Sequence, residues 1–564
     1  MTNLTGGQAV VEALRAQGTE CVLGLIGSAG MEIFDGLHGA KDVRFVGVRD
    51  ERTGVHMADG YARMTGKAGV FLAGQNGPGA TNLVTGLAQA QAAYSPVIAL
   101  AGLLSSAHVQ RDAFQEVDQH SLFKPVTKKT FTLTQTSRIP EMVGEAHRTA
   151  LSPRQGPVLL NLPRDLLANA FEAPDFPAQG RAFIAEAFTG PKALIDRAAQ
   201  LLRQAQRPVI IAGGGVKSGR HGKAVARLAE LLNAPVTMSP GHGDAISCEE
   251  TVYAGQMGPR GNPVATDLVK RADVILALGT RLGFNSTFYQ ADALNPEAQI
   301  IQVEVEPTAI GRFFPVAVGI LGDAGCVTDD LLAALQGHQA PAGAQEWLNA
   351  FIDKRRALLA SRDETAGSGA DPIQPAFLYR ALRDVMPDDA LYTMDAGTLC
   401  LQATDQLRYV QTPSLFTPLD FGLVGFSYAC GLGAKLGDPS RTVVSLMGDG
   451  GFGMACSELG TAVEHGINTV CIVMNNGCWG AEKAYQRDFF GERYIGADVH
   501  NPPFDKLAEL WGARGFRVDS AATLAQTVDE AIRCGQPAVV DVKVDPNALY
   551  SFRRDSFKNR AGKQ

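Results

Sequence analysis

The sequence predicts an α/β protein of three doubly wound parallel-sheet units, and three observations carry that expectation. First, apolar runs rich in β-formers alternate with helical stretches along the whole chain: CVLGLIG, RFVGV, GVFLAG and VIALAG, then PVIIAGGG, VILALG and IIQVEV, and finally LYTMD, TVVSLMGDG and TVCIVMNN. Continuous apolar strands separated by helices are the pattern of parallel sheets covered on both faces. Second, 564 residues exceed what one hydrophobic core usually organises. Third, two polar, Pro- and Gly-bearing stretches interrupt the alternation, EAPDFPAQGRAFIAEAFTG and then QGHQAPAGAQ followed by SRDETAGSGADP. They predict units at 1–180, 190–340 and 370–564, each of ordinary domain size. No short repeat is visible, so the likeness among units is one of fold rather than sequence.

Composition excludes several classes. Hydrophobic residues make up 45% and charged residues 19% of the chain, as in globular proteins. A formal charge of −7, with no long basic run, gives no attraction to phosphate backbones or anionic lipid, so neither nucleic acid nor a membrane is an expected partner. The nine cysteines contain no CxxC pair and imply neither a disulfide framework nor a zinc knuckle. No apolar run approaches the roughly 20 residues that span a bilayer, and the N-terminus lacks a basic stretch followed by an apolar one. The cytoplasm is the expected compartment.

The most informative segment is TVVSLMGDGGFGMACSELGTAVEHGINTVCIVMNNGCWG, a strand, a glycine-rich turn, a helix and a second strand ending in paired asparagines. Gly448, Gly450 and Gly453 match GxGxxG, which alone suggests a dinucleotide turn. That reading expects an acidic residue at the end of the second strand for the ribose. The strand ends instead in Asn475 and Asn476. Asp449 and Asn476 can bring hard oxygen ligands to one magnesium ion, which prefers them together with phosphate oxygens. The glycines, including Gly448, Gly450 and Gly451, let backbone amides approach a diphosphate. The plain alternative for Asp449 and Asn476 is turn chemistry. The segment resembles the GDG…NN motif of thiamine diphosphate enzymes. The resemblance implies Mg2+ held by Asp449, Asn476 and the main-chain carbonyl of Cys478.

A thiamine diphosphate enzyme also needs a carboxylate to protonate the aminopyrimidine and help generate the reactive ylid. RFVGVRDERTGVHMADGYARMTGKAGVFLAG places Glu51 after a strand and before a helix, and resembles the family's segment around its catalytic glutamate. Asp50 is better read as a solvated helix-start acid. Further segments extend the resemblance over nearly the whole chain: GQNGPGATNLVTGLAQA, AFQEVDQHSLFKPVTK, GPVLLNLPRDLL, ADVILALGTRLG, MDAGT and FGLVGFSYACGLGAK. They look like the acetolactate synthase and pyruvate oxidase branch, with pyrimidine, central and diphosphate domains in that order. The resemblance implies that Gly397 and Thr398 line the diphosphate, that the Gly422 carbonyl meets the aminopyrimidine and that Val424 is the apolar wedge bending the cofactor. Core packing is an equal alternative for Val424. Gln115 is expected near cofactor or substrate, and Glu116 has an equally good structural reading.

Within that branch, NNGCWGAEKAYQRDFFGERYIGADVHNPPFDKLAELWGARG and the late FRRD resemble sulfoacetaldehyde acetyltransferases, and GLIGSAG, which carries Ser28, agrees. That family converts sulfoacetaldehyde and phosphate into acetyl phosphate and sulfite. The wording of GFSYACGLGAK departs from it, which leaves open an acetolactate synthase-like carboligase or a 2-hydroxyacyl-CoA lyase or decarboxylase. A sulfonate calls for a fixed cation, and Arg553, Arg554 and Lys483 are the candidates. Surface salt bridges with Asp555 and Glu482 are the plainer reading of these cations. FAD in the central domain is left open, because GGG at 213–215 reads equally well as a strand-to-helix turn. The family builds its site between subunits, so a homodimer or homotetramer is expected.

Overall fold

Continuous apolar runs become strands buried on both faces. Val97–Leu103, Pro208–Ala212, Val274–Leu278 and Val470–Asn475 have almost no exposed side chain. The computed structural model describes residues 2–173, 184, 186–367, 369–552 and 557. Among them are three six-stranded sheets, every neighbouring pair of which is parallel. All ten runs named from the sequence form strands in them.

The strand orders distinguish the units. The first sheet runs Arg44–Gly47, Cys21–Leu25, Gly69–Ala73, Val97–Leu103, Val158–Pro163, Lys129–Thr132. The third runs Leu415–Phe416, Leu391–Met394, Val443–Gly448, Val470–Asn475, Ala538–Lys543, Arg514–Val518. Numbered within each unit, both have the order 2-1-3-4-6-5. The central sheet has the order 3-2-1-4-5-6, the arrangement of dinucleotide-binding folds. The GxGxxG match therefore lies in a unit without that order, which removes the remaining support for a dinucleotide turn there.

In open sheets of this kind ligands bind beyond the carboxyl ends of the strands, where the strand order reverses. In the third unit that point lies between Leu391–Met394 and Val443–Gly448. It brings Asp395, Gly397 and Thr398 beside Gly448 and Asp449. In the first unit it lies between Cys21–Leu25 and Gly69–Ala73, and brings Ser28 beside Gln75.

First and third units are joined by two helices in backbone contact, Glu51–Thr65 and Ser427–Gly437. A Cβ on Gly60 would fall on the carbonyl oxygen of Cys430, and one on Gly433 would fall on that of Met57. Only glycine permits this approach. One apolar core, with Val55, Met57, Phe71, Tyr428, Leu432 and Phe452, runs across the junction.

Two features lie outside the sequence expectations. Thr2–Thr5 pairs antiparallel with Ala170–Ala173, tying the start of the chain to the end of the first unit. Residues 342–366, within the second polar stretch, form one helix whose Trp347, Leu348 and Phe351 enter the central core, with Ala344 buried one turn before them. Their spacing is that of a helical stripe. The remaining two-thirds of the helix is largely exposed, which is why its sequence looks like a linker.

Candidate active site

Asp395 organises the third unit's strand-end site. Its buried carboxylate accepts from the backbone N–H groups of Gly425 at 2.9 Å, Phe426 at 2.8 Å and Ser427 at 3.4 Å. Burial pushes its carboxyl up to about 6 against the pull of those bonds. It thereby fixes the loop that carries Gly422 and Val424. A Cβ on Gly451 would collide with this carboxylate, and one on Gly450 would come within 2.5 Å of the Trp479 ring. Those two glycines are required by the protein's own packing. A Cβ on Gly397, Gly422 or Gly448 would meet nothing within 4 Å. Because all three line the same cavity, their missing side chains leave space for a ligand.

The paired asparagines divide the work. Asn475 Nδ2 donates to Asp541 Oδ1 at 2.9 Å and ties the end of its strand to the neighbouring Ala538–Lys543. Asn476 instead turns its carboxamide toward Asp449 Oδ1, 3.2 Å away, and the main-chain oxygen of Cys478, 3.1 Å away. Nitrogen-first, the amide donates to both; oxygen-first, three oxygens converge with nothing to satisfy them but a cation. Among the described residues no cluster of three His, Cys, Asp or Glu side chains offers a metal site. This mixed oxygen set, with one formal charge, fits magnesium sharing its shell with a diphosphate. Asp449 is 1% exposed, its Oδ2 accepts from Asn501 Nδ2 at 2.8 Å, and burial raises its carboxyl to about 6. A divalent cation would offset that burial cost. The Cys478 thiol, pushed up to about 11 by burial, stays uncharged, leaving the carbonyl as its useful group.

A strap crosses this site. Trp479 N–H donates to Ala497 O at 2.7 Å, Val499 N–H to Gly477 O at 2.9 Å, and Lys483 Nζ pairs with Asp498 Oδ1 at 2.6 Å. Lys483 thus has a carboxylate partner on the strap, different from the Glu482 that sequence suggested. Arg553, Arg554 and Asp555 lie outside the described residues.

A second cluster lies in the first unit. Asp50 caps the helix that begins at Glu51, accepting from Arg52 N–H at 2.8 Å and Thr53 N–H at 3.4 Å. The helix-start reading of Asp50 fits this geometry. Glu51 is 6% exposed, and its Oε2 accepts from Asn82 Nδ2 at 2.9 Å. Gly79, whose Cβ would lie 3.1 Å from Glu51 Oε1, also packs against Gln75. Gln75 in turn contacts Ser28 and Gln115. The fold so gathers Glu51, Ser28 and Gln115, three residues far apart in sequence. Glu116 points elsewhere and accepts from the N–H groups of Gln110, Arg111 and Ala113, closing the loop that presents Gln115.

Gly397, Thr398, Gly422, Val424, Gly448, Asp449, Gly450, Gly451, Asn476 and Cys478 all line one cavity of about 1130 Å³, which continues between the third and central units. Glu51, Ser28 and Gln115 are not among its lining. Gly213 and Gly215 are explained by packing, since a Cβ on either would strike the turn at Gly279. Asp395, Gln75 and Asn501 were not singled out by sequence. Asp395 and Gln75 had only their positions after a strand and within GQNGPG as signals and Asn501 had none, and their roles arise from contacts that strand order or the strap creates. No described helix is long and apolar enough to cross a membrane.

Family models match all three units in order: the thiamine pyrophosphate enzyme N-terminal TPP binding domain over residues 4–122, the central domain over 195–335 and the C-terminal TPP binding domain over 395–542. The chain is 32% identical to the sulfoacetaldehyde acetyltransferase of Alcaligenes xylosoxydans xylosoxydans, covering 98% of this chain and 95% of that one. This chain belongs to the thiamine pyrophosphate enzyme family. It is also 31% identical to a probable acetolactate synthase large subunit of Methanococcus aeolicus, over 97% and 93% of the two chains. A sulfoacetaldehyde acetyltransferase of Castellaniella defragrans is 31% identical over 98% and 95%. As a thiamine pyrophosphate enzyme of this kind, the protein is a thiamine diphosphate-dependent transferase or lyase.

Proposed function

We propose that this enzyme converts sulfoacetaldehyde and phosphate into acetyl phosphate and sulfite. The observation that carries the reading is the cluster beside Glu51. It is built from Ser28, Gln75 and Gln115, neutral hydrogen-bonding groups suited to an anionic oxygen next to a reacting carbonyl. Near-full-length similarity to two sulfoacetaldehyde acetyltransferases supports it. When bound, thiamine diphosphate supplies a carbon nucleophile and an electron sink. Asp449, Asn476 and the Cys478 carbonyl would hold its diphosphate through Mg2+, while Gly397, Thr398 and Gly448 would leave room for the phosphates and Gly450 and Gly451 would offer them backbone N–H groups. Val424 and the Gly422 carbonyl, to which no described residue donates, would orient the ring system. Glu51 would hold a proton at the aminopyrimidine, its second oxygen steadied by Asn82.

One chain does not join Glu51 to the Asp449 cavity, so the reading includes a homo-oligomer in which each site takes its glutamate from a second copy. Exposed Ile26 and Phe114, 64% and 84% accessible, flank the Glu51 cluster and suit burial against such a copy. Acetolactate synthase-like carboligation is the second reading, favoured by 31% identity to a probable acetolactate synthase large subunit. A panel of sulfoacetaldehyde, pyruvate and 2-hydroxyacyl-CoA, with and without phosphate, decides between them. Phosphate-dependent sulfite release supports the first reading, and acetolactate from pyruvate with no sulfite release replaces it. Flavin absorbance in the purified protein tests FAD in the central part of the cavity.

A further inference from the structure

The surroundings of Gln75 leave its carboxamide one orientation. The Ser28 backbone N–H can only donate, and it meets Gln75 Oε1 at 2.8 Å, with Ser28 Oγ donating to the same oxygen at 3.1 Å. That end of Gln75 is therefore the carbonyl. Gln75 Nε2 points the other way and donates to Gln115 Oε1 and, at 3.2 Å, to Asn76 Oδ1. A second backbone anchor agrees: the Gln115 carbonyl can only accept, and Asn76 Nδ2 serves it at 3.0 Å, leaving the Asn76 oxygen toward Gln75. Gln115 is clamped in its main chain as well, with φ +63 in the left-handed region. A Cβ on Gly77 would approach its carbonyl oxygen to 2.6 Å, so the loop is seated directly on the turn that follows Gly69–Ala73. With Oε1 engaged by Gln75, Gln115 Nε2 is turned away from Gln75 and has no partner among the described residues.

We infer that Gln75 is a positioning residue that holds the Gln115 carboxamide with its NH2 outward, as a neutral donor for the anionic oxygen of a small sulfonate or carboxylate substrate. The inference rests on the proposed reading that this cluster faces the reacting carbonyl. A freely turning amide would offer its oxygen as readily as its nitrogen and would repel the anion in that state. The Ser28–Gln75 pair removes that state. A donor without charge also avoids placing a cation beside Glu51, where it would compete for the carboxylate.

The test uses holoenzyme loaded with Mg2+ and thiamine diphosphate, titrated calorimetrically with methanesulfonate and with acetate. Gln75→Glu keeps an acceptor for both Ser28 donors but has no proton for Gln115, whose amide then turns its NH2 inward. Gln75→Met removes the network without adding charge. In both variants the affinity for the preferred anion is expected to fall about ten- to hundredfold, the loss of one hydrogen bond to a charged group. Thiamine diphosphate affinity should stay within about twofold, and in turnover KM should rise more than kcat falls. Which anion binds wild type more tightly distinguishes sulfonate from carboxylate recognition. Wild-type anion affinity in Gln75→Met overturns the inference, as does a loss confined to Gln75→Glu, which would be repulsion by the added charge. Gln115→Leu separates the two levels. If it abolishes anion binding while Gln75→Met does not, the site reading stands and the Gln75 role fails. If Gln115→Leu binds both anions like wild type, the site reading fails with it.

Discussion

Asp449 supplies the only formal charge in an oxygen set otherwise made of an amide and a backbone carbonyl. Replacing it with Ala leaves ligands that cannot offset a diphosphate, so Mg2+-dependent thiamine diphosphate binding is expected to vanish by calorimetry. Retained affinity would show that the metal is held elsewhere. Other single residues set the response to pH. His56 and His147 are buried and His242 is half-buried against the cavity wall, and desolvation pushes them down to about 3, 4 and 3. Neither ring nitrogen of His56 has a partner among the described residues. An unfolded histidine titrates near about 6.5. Below that pH the unfolded chain takes up protons that the folded one refuses, so these groups withdraw stability as pH falls from about 6.5 toward about 3. Asp395 and Asp449, raised to about 6, act in the opposite sense between about 6 and about 4. Three histidines with larger shifts outweigh two carboxylates. The urea midpoint of cofactor-free protein should therefore drop from pH 6.5 to 4, and His56→Leu should flatten the slope. An unchanged slope in that variant would remove His56 from the account.

The pair of helices Glu51–Thr65 and Ser427–Gly437 shows how an element's length and composition serve its neighbour. Alanine ordinarily exceeds glycine in a helix by about 1 kcal/mol. At Gly433 the new Cβ meets the Met57 carbonyl on the facing helix, which cannot yield without separating the helices. Gly433→Ala is expected to lose about 2–4 kcal/mol in urea unfolding despite its better propensity. Gly39→Ala, at the end of Met31–Gly39 with nothing within 4 Å, should be near neutral and serves as the control. Equal effects at the two positions would mean the contact is not decisive. Neither contact could be seen in sequence, where GYARM and GLGAK are unrelated phrases. The same limit divided the strands. Long apolar runs such as PVIIA and VCIVMN were legible, whereas Leu415–Phe416 and Val236–Met238 are too short for a pattern, and Arg514–Val518 is a half-exposed edge. In the site, GDG and NN were legible because their residues fall within one strand–helix–strand unit. Asp395, Gln75 and Asn501 were not, because each acts on a partner brought to it by strand order or by the strap.

At the scale of the whole molecule, first and third units have the same strand order, and in the proposed reading each presents half of a site at its strand ends. In the third unit that half is the cavity lined by Asp449 and Asn476. In the first it is the Glu51 cluster, outside that cavity and flanked by exposed Ile26 and Phe114. A two-fold pairing of chains would bring the first unit of each copy onto the third unit of the other, making two sites with shared ownership. This arrangement predicts complementation between inactive variants. On that reading Glu51→Gln lacks the proton-handling group and Asp449→Ala lacks the metal ligand, so each alone should be inactive. In a mixed dimer one site combines Glu51 from the Asp449→Ala chain with Asp449 from the Glu51→Gln chain, and the other site carries both lesions. Random mixing of equal amounts makes about half the dimers mixed, each with one sound site of two, so about a quarter of wild-type activity should return. The recovered activity should follow the rate of subunit exchange and appear only after chains have been dissociated and reassembled together. Site ownership within a single chain gives the opposite result, because every site in every mixture then carries one lesion. A mixture that stays inactive after verified exchange would place Glu51 and Asp449 of the same chain in one site, and the proposed sharing would have to be given up.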